Sequence, residues 1–198
     1  MNYHPKLFNG PMVRALLNGT KTKTRRGVTQ LAGFGQISEF GPSDKKTHDW
    51  QFKNKKGKVH RVCNSDLLDF CHYGIVGDRL WVRETWAYHP DFPESTQRVI
   101  FRADQECEHD VERWRPSIFM PRWASRITLE ITSVRVEPLK DISEADAIAE
   151  GAPWAACGSP QEGSHNAGFA QLWETINGHG SWDANPWVWA IEFKRVKP

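Results

Sequence analysis

The sequence predicts an α+β fold in which short strands form a small mixed β-barrel flanked by a few short helices. Three observations predict it. Runs with period-two alternation recur from Gly77 to the end of the chain, bounded by Gly, Pro, Asn or Asp. Stretches of helical periodicity are few and brief. The chain has 198 residues, 39% hydrophobic and 25% charged, which suits a single domain over 1–198 with a real core.

Asn9-Gly10-Pro11 opens the first helix, because Asn9 is a favoured cap and Pro11 suits the first turn. Met12, Val13, Leu16 and Leu17 share its inner face, and Asn18-Gly19 stops it. Residues 27–62 are poor in apolar side chains. Within them, His48–Phe52 and Lys58–Val62 flank Asn54-Lys55-Lys56-Gly57, which reads as a solvated, mobile hairpin with a basic tip. After the Gly77-Asp78 turn, Arg79 to Trp86 alternates, with Leu80, Val82 and Glu84 on one side. Val99–Arg102 is a short strand, and 103–115 an acidic loop. Ser125–Val136 is a strand with Ile127, Leu129, Ile131 and Val134 inward. Ser143-Glu144-Ala145-Asp146 has the form of a capping box for a helix whose apolar face is Ala145, Ile148 and Ala149, ended by Gly151. A second helix over 167–176 turns Phe169, Leu172, Trp173 and Ile176 inward. Residues 187–196 form the last strand.

Charge is divided unevenly. Residues 1–62 carry 13 Lys/Arg against 3 Asp/Glu, and residues 63–198 carry 13 against 21. The positive part suits an anionic partner such as a nucleotide or RNA, or simply attracts the negative part across the fold. The ten tryptophans are mostly core, with a weak pointer to a base-stacking pocket. Cys63, Cys71, Cys107 and Cys157 form no Cys-x-x-Cys pair, and no secretory signal precedes them, so a reduced cytoplasmic setting is expected. His60 and His72 do not give Cys63 and Cys71 a regular zinc-ligand spacing, and neither metal nor cofactor is expected. No apolar run approaches the roughly 20 residues of a membrane span.

The stretch Gly19-Thr20-Lys21-Thr22-Lys23-Thr24-Arg25-Arg26 is the strongest functional signal. A threonine hydroxyl is a poor nucleophile at neutral pH and needs a neighbouring base. A lysine serves as that base when burial or other cations lower its pKa. Lys23, Arg25 and Arg26 crowd Lys21 in that sense. In a regular strand Lys21 and Thr24 point to opposite faces, so the chain must bend between them for the two to meet. The plain alternative is a solvated basic turn. Glu150 falls in the last turn of its helix, where a carboxylate is unfavourable, a mild sign of another purpose.

Taken in order, Lys-Thr-x-Thr-x-Arg after a helix stop, GDRLWVRETW, MPRWASRITLEIT, DISEADAIAEG and SWDANPWVWAIEF resemble the ASCH domain. This is a PUA-like β-barrel, and the phrases are similar to ASCH proteins of bacteriophages and prophages. The resemblance covers most of the chain, with 28–62 and 103–115 as insertions. One branch of that superfamily comprises the N4-acetylcytidine amidohydrolases, which carry a lysine, a threonine three residues later and an arginine two residues further. Those positions are Lys21, Thr24 and Arg26. Their third catalytic residue is a glutamate late in the helix after the central strands. Alignment places it at Glu150, with Glu144 and Asp146 as competitors.

The resemblance implies acyl transfer with Thr24 as nucleophile, Lys21 as base and Glu150 as proton shuttle, on a nucleoside or nucleobase. Arg26, Glu84 and Trp86 are the substrate-binding candidates, and Trp123 and Trp187 compete with Trp86 for stacking on the base. The alternatives are an RNA-binding module using the basic residues 45–61, an ASCH-type ribonuclease, and a structural phage role. No coiled coil or repeat supports the last. Oligomeric state has no signature in the sequence.

Overall fold

The computed structural model describes residues 1–104, 111–157 and 159–196. Strand β1 (Tyr3–Leu7) leads into helix α1 (Gly10–Leu17) and strand β2 (Lys23–Gly27). Strands β3 (Gln30–Leu31), β4 (Gly35–Pro42), β5 (Trp50–Asn54) and β6 (Val59–Val62) follow, then the short helix α2 (Asn64–Leu67). Next come β7 (Arg79–Arg83), β8 (Trp86–Tyr88), β9 (Val99–Phe101) and the long β10 (Thr128–Pro138). Helix α3 (Glu144–Ala149), β11 (Ala155–Cys157), β12 (Ser159–Ser164), α4 (His165–Asn177) and β13 (Trp187–Val196) complete the chain. The protein is α+β, with most of its strands in several sheets.

The main sheet has the order β1-β7-β10-β13-β2, and only the β1–β7 pair is parallel. The expected barrel is not closed: among the described residues no backbone ladder joins β1 to β2. Side chains bridge the two edges instead. Arg26 Nη2 of β2 donates to the Leu7 carbonyl of β1 at 3.4 Å. Phe8 lies between the edges, its ring packed edge-on against Phe193 with centroids 6.4 Å apart.

Alternation gives this sheet two working faces. Trp189, Ile191 and Phe193 of β13 join Leu80, Leu129, Ile131, Val13 and Leu16 in the main core. Val188, on the opposite face of β13, joins Leu139, Ala147, Phe169 and Trp173 in a second core under α3 and α4. A bulge between Ile131 and Ser133 adds a residue to β10, so Val134 rather than Ser133 returns to the core.

The predicted α1 is present in detail. Asn9 accepts a hydrogen bond from the Met12 N–H at 3.0 Å, and Met12, Val13 and Leu16 are buried. The basic hairpin also forms, as β5 and β6, but it is not a solvated appendage. It belongs to the four-stranded sheet β3-β4-β5-β6, and its Phe52 and Val62 enter the main core. The strand expected over 79–86 ends at Arg83, and Trp86 starts the separate β8–β9 hairpin. Of the acidic loop, 105–110 lie outside the described residues.

The inner face of α3 differs from the expected one. Ala147 and Glu150 are buried and Ile148 is 47% exposed. Asp146 and Glu150, four residues apart, share the face turned toward β2, and Ala147 packs beside them. Charge pairing outweighs apolar patterning here. In α4, Phe169 and Trp173 are buried as expected, while Ile176 is half exposed. Ser143 caps α3 by accepting from the Asp146 N–H at 3.1 Å. Ser143→Ala is expected to lower stability by about 1 kcal/mol, read from the urea midpoint. Among the described residues no helix is long and apolar enough to cross a membrane.

Candidate active site

Lys21 is held by the chain on both sides of it. Gly19, with φ of 77°, turns the backbone out of α1. The Lys21 N–H then donates to the Ala15 carbonyl at 3.0 Å, and the Thr22 N–H to the Ala149 carbonyl of α3 at 2.8 Å. Phe193 N–H closes the joint on the Thr22 carbonyl at 2.9 Å. From this anchored loop the Lys21 ammonium makes three hydrogen bonds. They go to the Lys23 carbonyl at 2.7 Å, the Glu150 carbonyl at 2.7 Å and Glu150 Oε2 at 2.9 Å. Burial lowers the Lys21 pKa, Glu150 opposes that shift, and Arg26 and Arg25 add to it.

Glu150 occupies the C-cap position of α3, and Gly151 follows with φ of 73°. The carboxylate that looked misplaced at a helix end is thus met by a lysine that also caps the last carbonyl. A Cβ at Gly151 would lie 3.0 Å from Ala15 Cβ and 3.5 Å from Lys21 Cβ. Gly151→Ala is expected to cost roughly 1–3 kcal/mol through the left-handed backbone and the displaced neighbours. Thermal unfolding measures it.

Thr24 and Arg26 project from β2 into the main-core side, because Thr24 pairs with Ile191 and Arg26 with Trp189. Lys23 and Arg25 project to the α3 side. The Thr24 hydroxyl is buried and has no hydrogen-bond partner among the described residues. Lys21 binds the carbonyl of the very peptide that carries Thr24, so covalent reach alone puts Nζ within about 10 Å of the Thr24 oxygen. The structure joins Lys21 to Glu150 directly, and among the described residues Thr24 hydrogen-bonds to neither of them. All three are 1–2% exposed.

The two competing acids have other partners. Glu144 accepts from the His165 and Asn166 N–H groups at the start of α4, at 2.6 and 3.1 Å. Asp146 binds Lys23 at 2.6 Å and Arg25 at 2.9 Å. The fully buried Arg25 also holds Glu137 at 2.9 Å through Nε and reaches Glu150 Oε1 at 3.5 Å. Burial alone would raise the Asp146 carboxyl, but the bonds from Lys23 and Arg25 overcome it and bring it down to about 2. A depressed carboxyl stabilises the fold above its unfolded value of 3.8 and loses that contribution as pH falls through about 2. The stability gap between wild type and Asp146→Asn is therefore expected to be full above pH ~4 and to close toward pH ~2, in urea titrations across that range.

The remaining candidates are dispersed. Glu84 is buried, binds Arg126 through both oxygens at 3.0 Å, and has its pKa raised by burial. Trp86 packs with Met120 and Ala124, and Trp123 stacks on Tyr88 in the same satellite cluster. Trp187 packs against Trp50, with centroids 4.8 Å apart. None of these contacts is with Lys21, Thr24 or Glu150. Arg26 does lie at the site: its Cζ is 5.9 Å from the Phe8 ring centroid, and Lys21 Nζ is 5.8 Å from the same ring.

Sequence reasoning missed Lys6, Phe8, Tyr73 and Trp189. The signal for the first two was the alternation of His4, Lys6 and Phe8 against Tyr3, Pro5 and Leu7, which Pro5 obscures because prolines are tolerated only on edge strands. Two broad clefts lie elsewhere. One, of about 860 Å³, is lined by Tyr88, His89, Phe92, Arg115 and Phe119. The other, of about 360 Å³, is lined by Phe40, Gln51, Lys53 and Arg61. Neither is lined by Lys21, Thr24 or Glu150.

Comparison with protein-family models, with curated proteins and with solved structures finds no match for this chain.

Proposed function

We propose that the protein is an amidohydrolase of the ASCH type that cleaves the N4-acyl amide of N4-acetylcytidine or a related N4-acylcytosine. The observation that carries this reading is the Thr24 hydroxyl, buried and unpartnered, three residues along the chain from the lysine of a desolvated Lys21–Glu150 pair. Buried polar atoms are nearly always satisfied, and an exception calls for a role.

In the first step Lys21 passes a proton to Glu150 along their 2.9 Å hydrogen bond. The neutral amine then takes the Thr24 proton as the Thr24 oxygen bonds to the acyl carbon. The tetrahedral adduct collapses, the carbon–N4 bond breaks, and N4 receives its proton from Glu150. In the second half the pair takes a proton from water as the water oxygen bonds to the acyl carbon; the Thr24 oxygen–carbon bond then breaks, Thr24 takes that proton back, and the carboxylic acid leaves. Arg26, on the Thr24 side of β2, stabilises the developing oxyanion, an effect worth about 3 kcal/mol for one donor. Substrate enters between β1 and β2, where side chains rather than a backbone ladder join the sheet edges. Turnover of N4-acetylcytidine, followed by the absorbance change to cytidine, tests the reading. Absence of turnover across several acyl groups overturns it.

A second reading has its own support. Lys45, Lys46, Lys55, Lys56 and Lys58 around the β5–β6 hairpin are exposed. Among the described residues none of them forms a salt bridge, unlike Lys53 and Arg61. Such a patch suits RNA. Salt-sensitive RNA binding that survives Thr24→Ala, in a protein without hydrolytic activity, would favour this binding-module reading.

A further inference from the structure

Lys6 stands at an inward position of β1 and is 5% exposed. Its Nζ lies 3.2 Å from the centroid of the Tyr73 ring. Among the described residues it has neither a hydrogen-bond acceptor nor a carboxylate. The charged group acting on it from β2 is Arg26, of the same sign. Arg26 too lacks a carboxylate among the described residues, and its hydrogen bond is the long one to the Leu7 carbonyl. Trp189 pairs with Arg26 across β13 and β2 and so shares its face, and its indole N–H is buried without an acceptor. The Lys21 ammonium, by contrast, is saturated.

Three donors therefore lie on one side of the sheet with a single long hydrogen bond among them; Arg26 is cationic, and Lys6 becomes so when it is protonated. A buried cation without an anion is unfavourable, and a ring face offsets only part of that cost. An incoming group made of acceptors and carrying negative charge would satisfy all three. We propose that Lys6 and Arg26, with the Trp189 N–H, form an oxyanion subsite on the same side of the sheet as Thr24. The substrate then carries either a phosphate, as a nucleotide would, or a carboxylate on its acyl group. This inference rests on the proposed reading for the word substrate, but its test does not.

The groups facing Lys6 are Arg26 from β2, Cys71, His72 and Tyr73 from the segment before β7, and His4 from β1 itself. Burial first, then Arg26, lowers the Lys6 pKa to about 6. Near neutral pH the free site is thus largely deprotonated and must take up a proton when an anion arrives. Anion binding is expected to be tighter at pH 6 than at pH 8.

The experiment is calorimetric titration of the whole protein with sulfate and, separately, with acetate, at both pH values. Both probes keep constant charge over that range. Lys6→Met fills the same volume without a charge and is expected to fold. The dissociation constant of the preferred anion is expected to rise at least tenfold in Lys6→Met, and the pH dependence to vanish. Preference for sulfate assigns the subsite to phosphate, and preference for acetate to carboxylate. Equal binding by wild type and Lys6→Met, or no binding of either anion at pH 6, overturns the inference. A protein that binds sulfate through Lys6 but hydrolyses no N4-acylcytosine keeps this subsite and loses the proposed activity. One that hydrolyses but ignores both anions does the reverse.

Discussion

On the proposed amidohydrolase reading, Thr24→Ala is expected to abolish hydrolysis of N4-acetylcytidine, with kcat/KM falling by about 10⁴-fold or more, as for nucleophiles in comparable acyl-transfer sites. The loss belongs in kcat, since the Thr24 oxygen forms its bond only as the barrier is crossed. Stability should change little or rise, because the variant removes a buried hydroxyl that has no partner. Lys21→Arg gives the companion result. Arginine keeps the positive charge but cannot act as a base, so activity should fall as far as in Lys21→Ala. Retention of even a tenth of the wild-type rate in Lys21→Arg would show that charge, not proton transfer, is what Lys21 supplies. A Thr24→Ala protein that still turns over at the wild-type rate would remove Thr24 from the chemistry.

Glu150→Ala is expected to lower stability by roughly 3–5 kcal/mol, the usual consequence of removing one partner from a buried ion pair. Lys21 would keep its two carbonyl acceptors but lose its counter-ion, and Arg25 would lose the 3.5 Å contact on the same carboxylate. The deficit should shrink as pH rises. The native Lys21, lowered further without Glu150, sheds its proton before the unfolded chain does, so the unfolded state binds more protons and stability increases with pH. The double variant Lys21→Met, Glu150→Leu should recover much of the loss, since neither charge is then left alone in the core. Urea titrations of all four proteins give the coupling energy. A Glu150→Ala protein as stable as wild type would mean that the pair is not formed in solution.

The local parts of this structure were legible in the sequence. The Asn9 cap, the Gly19 stop, the strand spacing and the Ser143 cap each depend on a few adjacent residues, and each is present. The errors share a physical origin in long-range packing. The basic hairpin was read as solvated because its own composition is polar, yet Phe52 is claimed by the main core. Apolar spacing alone sets the expected inner face of α3, while Asp146 and Glu150 are drawn inward by Lys23 and Arg25 of β2 and by Lys21 of the loop before it. The Lys21–Glu150 contact was anticipated through the resemblance and the odd position of a carboxylate at a helix end. Trp86 and Glu84, the substrate-binding candidates beside Arg26, lie apart from it: Glu84 pairs with Arg126, and the β8–β9 hairpin carries Trp86 into a different cluster. Lys6 could not be singled out, because a lysine among exposed neighbours gives no sign of burial until β1 is seen to face inward.

The joint that fixes Lys21 has a kinetic consequence. Its Lys21–Glu150 contact spans 129 positions in the chain, and the Arg25–Glu137 bond spans 112. Contacts of such sequence separation form late, after loop closure over most of the molecule, and chains dominated by them fold in milliseconds to seconds rather than microseconds. Chemical competence should therefore appear only with the last folding phase. No fragment that omits either α1 or α3, however well it keeps its local structure, would assemble the reactive group.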